Sequence, residues 1–93
     1  MIVSFADKRA EQIWRREYVK DVSKEICRVA YRKLTMIDKA KTLGDLAAVP
    51  GNHFEKLRGD RKGQISIRIN DQWRICFEWG ARGALHVEIT DYH

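Results

Sequence analysis

QISIRINDQWRICFEWGARGALHVEIT, residues 64–90, carries the clearest pattern in the chain. Ile65, Ile67 and Ile69 alternate with Gln64, Ser66 and Arg68. Asn70-Asp71 signals a turn, after which Trp73, Ile75, Phe77 and Trp79 alternate with Arg74, Cys76 and Glu78. Gly80 to Gly83 turns again, and Leu85, Val87 and Ile89 alternate with His86, Glu88 and Thr90. Period-two alternation bounded by turn residues predicts an antiparallel meander with one face buried and the other open. Keeping all three apolar rows on one face requires Ile69 opposite Trp73 and Ile75 opposite Ile89, because a one-residue slip would move a whole row to the other face. The same parity places Arg68 opposite Arg74 on the open face. Like charges directly opposite each other destabilise a sheet, so the pair either brackets an anion or splays into solvent.

Upstream of the meander, Met1 to Phe5 reads as a short strand and Asp7 as a helix cap, its carboxylate able to accept from the free amides of a first turn. Ala10, Ile13, Trp14 and Tyr18 recur at helical spacing. A second, longer helix begins near Ser23. Its apolar face is Ile26, Ala30, Leu34 and Ile37, widened by Val29 and Met36, and its opposite face carries Lys24, Arg28, Arg32 and Lys39. Gly44 ends this pattern. Asp45 to Val49 allows a short helical turn, Pro50-Gly51-Asn52 is a strong turn signal, and a short strand is expected within His53 to Arg58, since a long structureless stretch is uncommon in a compact domain.

With 93 residues, the chain is long enough for one domain (1–93) and one modest core. A hydrophobic fraction of 44% with 10% aromatics argues against intrinsic disorder. The net charge of +5 and pI near 9.5 suit a polyanionic partner, either nucleic acid or an acidic protein, or else serve solubility in general. The sequence contains no transmembrane segment, and the opening apolar stretch is too short for a signal-peptide core. Cys27 and Cys76 lack metal-type spacing and read as free thiols in a reducing, cytoplasmic setting.

The chain closes on Asp91, Tyr92 and His93, an acid, a phenol and an imidazole running on from the meander. By parity Tyr92 continues the open face and Asp91 and His93 the core side, although the pattern alone does not place His93. Such groups on a basic surface suit RNA cleavage. A base takes the ribose 2′-hydroxyl proton, the oxygen attacks phosphorus, cations stabilise the phosphate charge, and an acid protonates the departing 5′-oxygen. Histidine fits both proton roles. Of the three histidines, His53 follows the Pro-Gly-Asn turn, His86 sits near the far end of its strand, and His93 is terminal. Asp91 either orients an imidazole, accepts a proton, or is a plain solvated carboxylate. The local basic set of Lys56, Arg58, Arg61, Lys62, Arg68 and Arg74 suits phosphate binding, with Gly59 to Gly63 as a flexible basic finger. Trp73 and Trp79 fall on the core parity, which leaves Tyr92 as the base-stacking candidate.

PGNHFEKLRGDRKGQISIRINDQWRICFEW (residues 50–79), with VEITDYH at residues 87–93 and the MIVSFADK start, closely resembles the HigB (killer protein) branch of the RelE toxin superfamily. The resemblance spans essentially the whole chain. It implies an α+β domain, with two N-terminal helices packed on a twisted antiparallel sheet. It implies the toxin of a type II toxin–antitoxin pair, a ribosome-dependent endoribonuclease (mRNA interferase) that cuts mRNA in the A site without metal or other cofactor. The implied partners are the ribosome and mRNA, and a helix-turn-helix antitoxin of the HigA type that carries the complex to operator DNA. On the matching positions the resemblance makes His53, Asp91, Tyr92 and His93 the active-site residues, with His53 and His93 in proton transfer and Tyr92 orienting substrate or stacking a base. Lys56, Arg68 and Arg74 hold or neutralise phosphate. Many relatives carry Arg where this chain has His53, and in them that position holds phosphate. Two other readings of the same surface are a ParE-like toxin that inhibits DNA gyrase by binding, and a non-catalytic RNA-binding module.

Overall fold

A computed structural model describes residues 1–91; Tyr92 and His93, and the expectations attached to them, lie outside the described residues. Three helices precede a four-stranded sheet: α1 (Lys8–Trp14), α2 (Lys24–Lys39), α3 (Leu43–Ala47), β1 (Glu55–Lys56), β2 (Ile65–Arg68), β3 (Trp73–Gly80) and β4 (Gly83–Asp91). The strands lie in the order β1-β2-β3-β4, all antiparallel. As the alternation requires, Ile75 pairs with Ile89 and Arg68 with Arg74, and the Ile69 amide donates to the Trp73 carbonyl at 2.9 Å.

Asp7 caps α1, its Oδ1 accepting from the Ala10 amide at 2.8 Å. The helix stops at Trp14 and does not run on to Tyr18, which is 78% exposed. Arg16 takes the left-handed conformation (φ 60°), its amide donates to Ile13 O and the Glu17 amide to Gln12 O. That double bond pattern closes a helix in a Schellman motif, a position usually held by glycine. Here the Arg16 guanidinium stacks 4.2 Å from the Tyr31 ring, which helps hold the unusual residue. Ser23 caps α2, whose buried side chains are Ala30, Lys33, Leu34 and Ile37. The helix ends at Lys39, before Gly44. Thr42 opens α3 with a capping box, and Gly44 lies inside that short helix.

The core face of the sheet carries Ile67, Trp73, Ile75, Phe77, Val87 and Ile89 against Ala10, Ile13, Ala30, Leu34, Ile37 and Leu46 of the helices. Trp79 keeps the core parity but is half-buried, edge-on to Phe77. Both cysteines are free thiols, as expected, with Cys76 fully buried on the opposite face.

Alternation fails at one place in β4. Between the Cys76–Glu88 and Glu78–Leu85 pairs, Phe77 faces both His86 and Val87, a β-bulge with His86 at φ 56°. The extra residue flips the parity before it, so fully buried Ala84 faces the core in place of Leu85. Met1 to Phe5 does not form a regular strand. It runs parallel along the free edge of β4, bridging at Ile2–Ala84 and Phe5–Val87, and so covers an edge that would otherwise invite pairing. Gly83 makes the close approach possible, since a Cβ there would lie 2.1 Å from Met1 O.

Candidate active site

The open face is built in rows fixed by strand register. Glu55, Ser66, Cys76 and Glu88 form one row, and Arg68, Arg74 and Thr90 the next. Each of the two arginines has its own partners among the described residues. Arg74 Nε donates to Ser66 Oγ at 2.8 Å and its Nη2 to the His53 carbonyl at 2.5 Å. Arg68 pairs through Nη2 with Asp71, whose side chain is almost fully exposed. Ser66 is fully buried beneath these groups.

His53 is exposed, with a left-handed backbone (φ 44°) in the turn after Asn52. Asn52 is fully buried and anchors that turn. Its Oδ1 accepts from Lys33 Nζ, its Nδ2 donates to Leu46 O at 3.0 Å, and its carbonyl accepts from the Arg68 amide at 2.7 Å. One short turn thus joins α2, α3 and β2, and presents His53 beside Arg68 and Arg74. Burial pulls the Lys33 ammonium below its ordinary pKa, and Arg32 and Arg68 push it further the same way. Asn52, Lys33 and Ser66 were not among the sequence candidates. The Pro-Gly-Asn signal marks a turn, but nothing in the periodicity of α2 singles out Lys33 from its other basic residues.

The remaining candidates divide. Asp91, exposed at the end of β4 one residue past Thr90, sits opposite Trp73 and accepts from Gln72 Nε2 at 3.0 Å. Arg61 does not belong to a loose finger. Gly59–Arg61 forms a 3-10 turn, and Arg61 Nη1 reaches Gln64 Oε1 at 2.8 Å and Glu88 Oε1 at 2.5 Å, tying the β1–β2 connection to β4. Arg58 and Lys62 are exposed and make no ion pair among the described residues. Lys56 pairs with Ile65, which puts it on the core-side parity, away from Arg68 and Arg74. It borders a hollow of about 380 Å³ with Leu43, Leu57 and Trp79. His86 Nδ1 sits 2.8 Å from Glu78 Oε2 near the far end of β4, outside this cluster. Among the described residues no three His, Cys, Asp or Glu side chains gather as a metal site, and no helix is long and apolar enough to cross a membrane.

Residues 3–93 match the family model described as RelE-like toxin of type II toxin-antitoxin system HigB. The chain is 39% identical to Toxin HigB-1 of Vibrio cholerae over 80 residues, 85% of this chain and 84% of that protein. It is 31% identical to Endoribonuclease HigB of Proteus vulgaris over 94 residues, covering all of both chains. Among solved structures, one from the YoeB-YefM complex of Staphylococcus aureus superposes with a TM-score of 0.65 at 19% identity, covering 100% of this chain and 98% of that one, a likeness of fold. With the expected α+β architecture in place and nearly its whole length matched, the chain belongs to the HigB family of RelE-like toxins of type II toxin–antitoxin systems.

Proposed function

We propose that this toxin is an endoribonuclease that cuts mRNA on the ribosome. The observation that carries the reading is the open-face pairing of Arg68 with Arg74, with exposed His53 held beside them through its carbonyl. The two guanidiniums supply positive charge where a scissile phosphate would gain negative charge, and charge stabilisation of this kind is a large part of phosphoryl-transfer catalysis. His53 or His93 removes the 2′-hydroxyl proton. The 2′-oxygen bonds to phosphorus, the bond from phosphorus to the 5′-oxygen breaks, and the other histidine returns a proton to that oxygen. The products are a 2′,3′-cyclic phosphate and a 5′-hydroxyl. Asp91 orients an imidazole or accepts the proton, and Tyr92 stacks a base. Arg58 and Lys62 hold flanking phosphates. Lys56, on the other side of β1, takes a more distant phosphate or an rRNA contact. His53 and Asp91 are both exposed, which fits a site that the ribosome completes by positioning the message.

The cognate antitoxin is expected to be of the HigA type, with a helix-turn-helix domain through which the complex reaches operator DNA, and the toxin to act in the cytoplasm. Brief expression of the wild type and of His93→Ala in growing cells, with new mRNA 5′ ends mapped by primer extension, tests the reading. In-frame ends inside translated regions, lost in His93→Ala, are expected. Growth arrest without new ends would replace this proposal with gyrase inhibition or simple RNA binding.

A further inference from the structure

Lys33 is 6% exposed, yet makes no ion pair among the described residues. Burying an ammonium without a carboxylate is costly, and an apolar residue on that face of α2 would pack at lower cost. Its hydrogen-bond partner is the Asn52 side chain, also fully buried. The Asn52 amide has one satisfiable orientation, because a lysine can only donate and the Leu46 carbonyl can only accept. The orientation matters to the residue that follows. His53 stands in a backbone region that side chains other than glycine seldom adopt, and its carbonyl must point at Arg74 Nη2. The Asn52 carbonyl meanwhile fixes the start of Arg68.

We propose that Lys33 and Asn52 are positioning residues of the cleavage site, a buried clamp that holds the His53 turn in register with Arg68 and Arg74 without touching RNA. The proposal rests on the ribonuclease reading. It is tested with Lys33→Met, which removes the donor, Lys33→Gln, which keeps one, and Asn52→Ala, in single-turnover cleavage of mRNA on programmed ribosomes. Lys33→Met and Asn52→Ala should lower the cleavage rate at saturation about 10- to 100-fold, the scale on which small misplacements act. The half-saturating concentration should stay within about threefold. Lys33→Gln should recover most of the rate. The His53 backbone amide should give one NMR signal in the wild type and in Lys33→Gln, but doubled or broadened signals in Lys33→Met.

A folded Lys33→Met or Asn52→Ala with wild-type rate overturns the clamp, as does a Lys33→Gln no faster than Lys33→Met. If either disruptive variant does not fold, the other and Lys33→Gln decide. A wild type that cuts nothing removes the ribonuclease reading instead, and the His53 amide signals still decide whether the clamp orders the turn.

Discussion

Arg74 uses the geometry of its head group and not charge alone. Nε and Nη2 address acceptors on different segments, the hydroxyl and carbonyl of Ser66 in β2 and the carbonyl of His53. A lysine ammonium is a point charge on a flexible stem and cannot reproduce that planar fork. Arg74→Lys should therefore lower cleavage about 10- to 100-fold, the range for losing a hydrogen bond to a charged group, while the far-ultraviolet circular dichroism stays native. Wild-type cleavage by Arg74→Lys would reduce the residue to a plain counter-charge. At this scale parity was informative and contact was not. Alternation placed Arg68 across from Arg74, but the acceptors each would find depend on side chains brought in by other segments. Asn52 showed itself as a turn residue, and its buried partner Lys33 lies nineteen positions away. Lys56 lies near the arginines in sequence but not on their face, and a two-residue strand has too little alternation to reveal which face it takes.

Elements were legible where side chains repeat and illegible where one residue breaks the repeat. Ser23 and Asp7 marked their helix starts through ordinary capping chemistry. The end of α1 turns on a left-handed arginine, and the bulge in β4 on a left-handed histidine, positions that residue type alone does not mark. Gly44 looked like a terminator, but the chain had already left α2 and re-entered a helix through the Thr42–Asp45 capping box. That box has a titratable half. Backbone amides of Lys41 and Thr42 donate to Asp45 and hold its carboxyl below the ordinary 3.8. A depressed folded pKa adds stability above the unfolded value and loses it as the pH falls through the folded one. Asp45→Asn should therefore be less stable than wild type at neutral pH, with the difference shrinking below about pH 3.8. Urea midpoints at pH 7 and pH 3 would show it, and a pH-independent difference would mean the side chain acts by hydrogen bonding or packing alone. Thr42→Ala, which removes the other half, should cost about 1 kcal/mol at neutral pH.

Over the whole molecule, the distribution of charge points to a partner more than to stability. The ion pairs Arg15–Glu11, Arg28–Glu25 and Arg68–Asp71 are all substantially exposed, and such pairs typically add about 0–1 kcal/mol each. The fold instead rests on a core shared by all three helices and the sheet, with β4 shielded by the opening residues and the other edge limited to two-residue β1. The +5 excess is thus available to bind polyanions. Neutralising each phosphate of a single strand contributes a slope of about −0.7 to log K against log salt. If Arg58, Lys62, Arg68 and Arg74 each meet one phosphate, affinity for a short 2′-O-methyl RNA, which cannot be cut, should fall about 50-fold between 50 and 200 mM salt. Fluorescence anisotropy of a labelled strand measures this directly. Arg68→Ala should make the slope shallower by about 0.7, whereas Arg15→Ala, at the exposed C-cap of α1, should leave it alone. The melting temperature should move little over the same range, because exposed pairs contribute little to begin with. Affinity that ignored salt, or an Arg68→Ala slope equal to the wild type, would detach the open sheet face from RNA binding and leave its charge to the antitoxin.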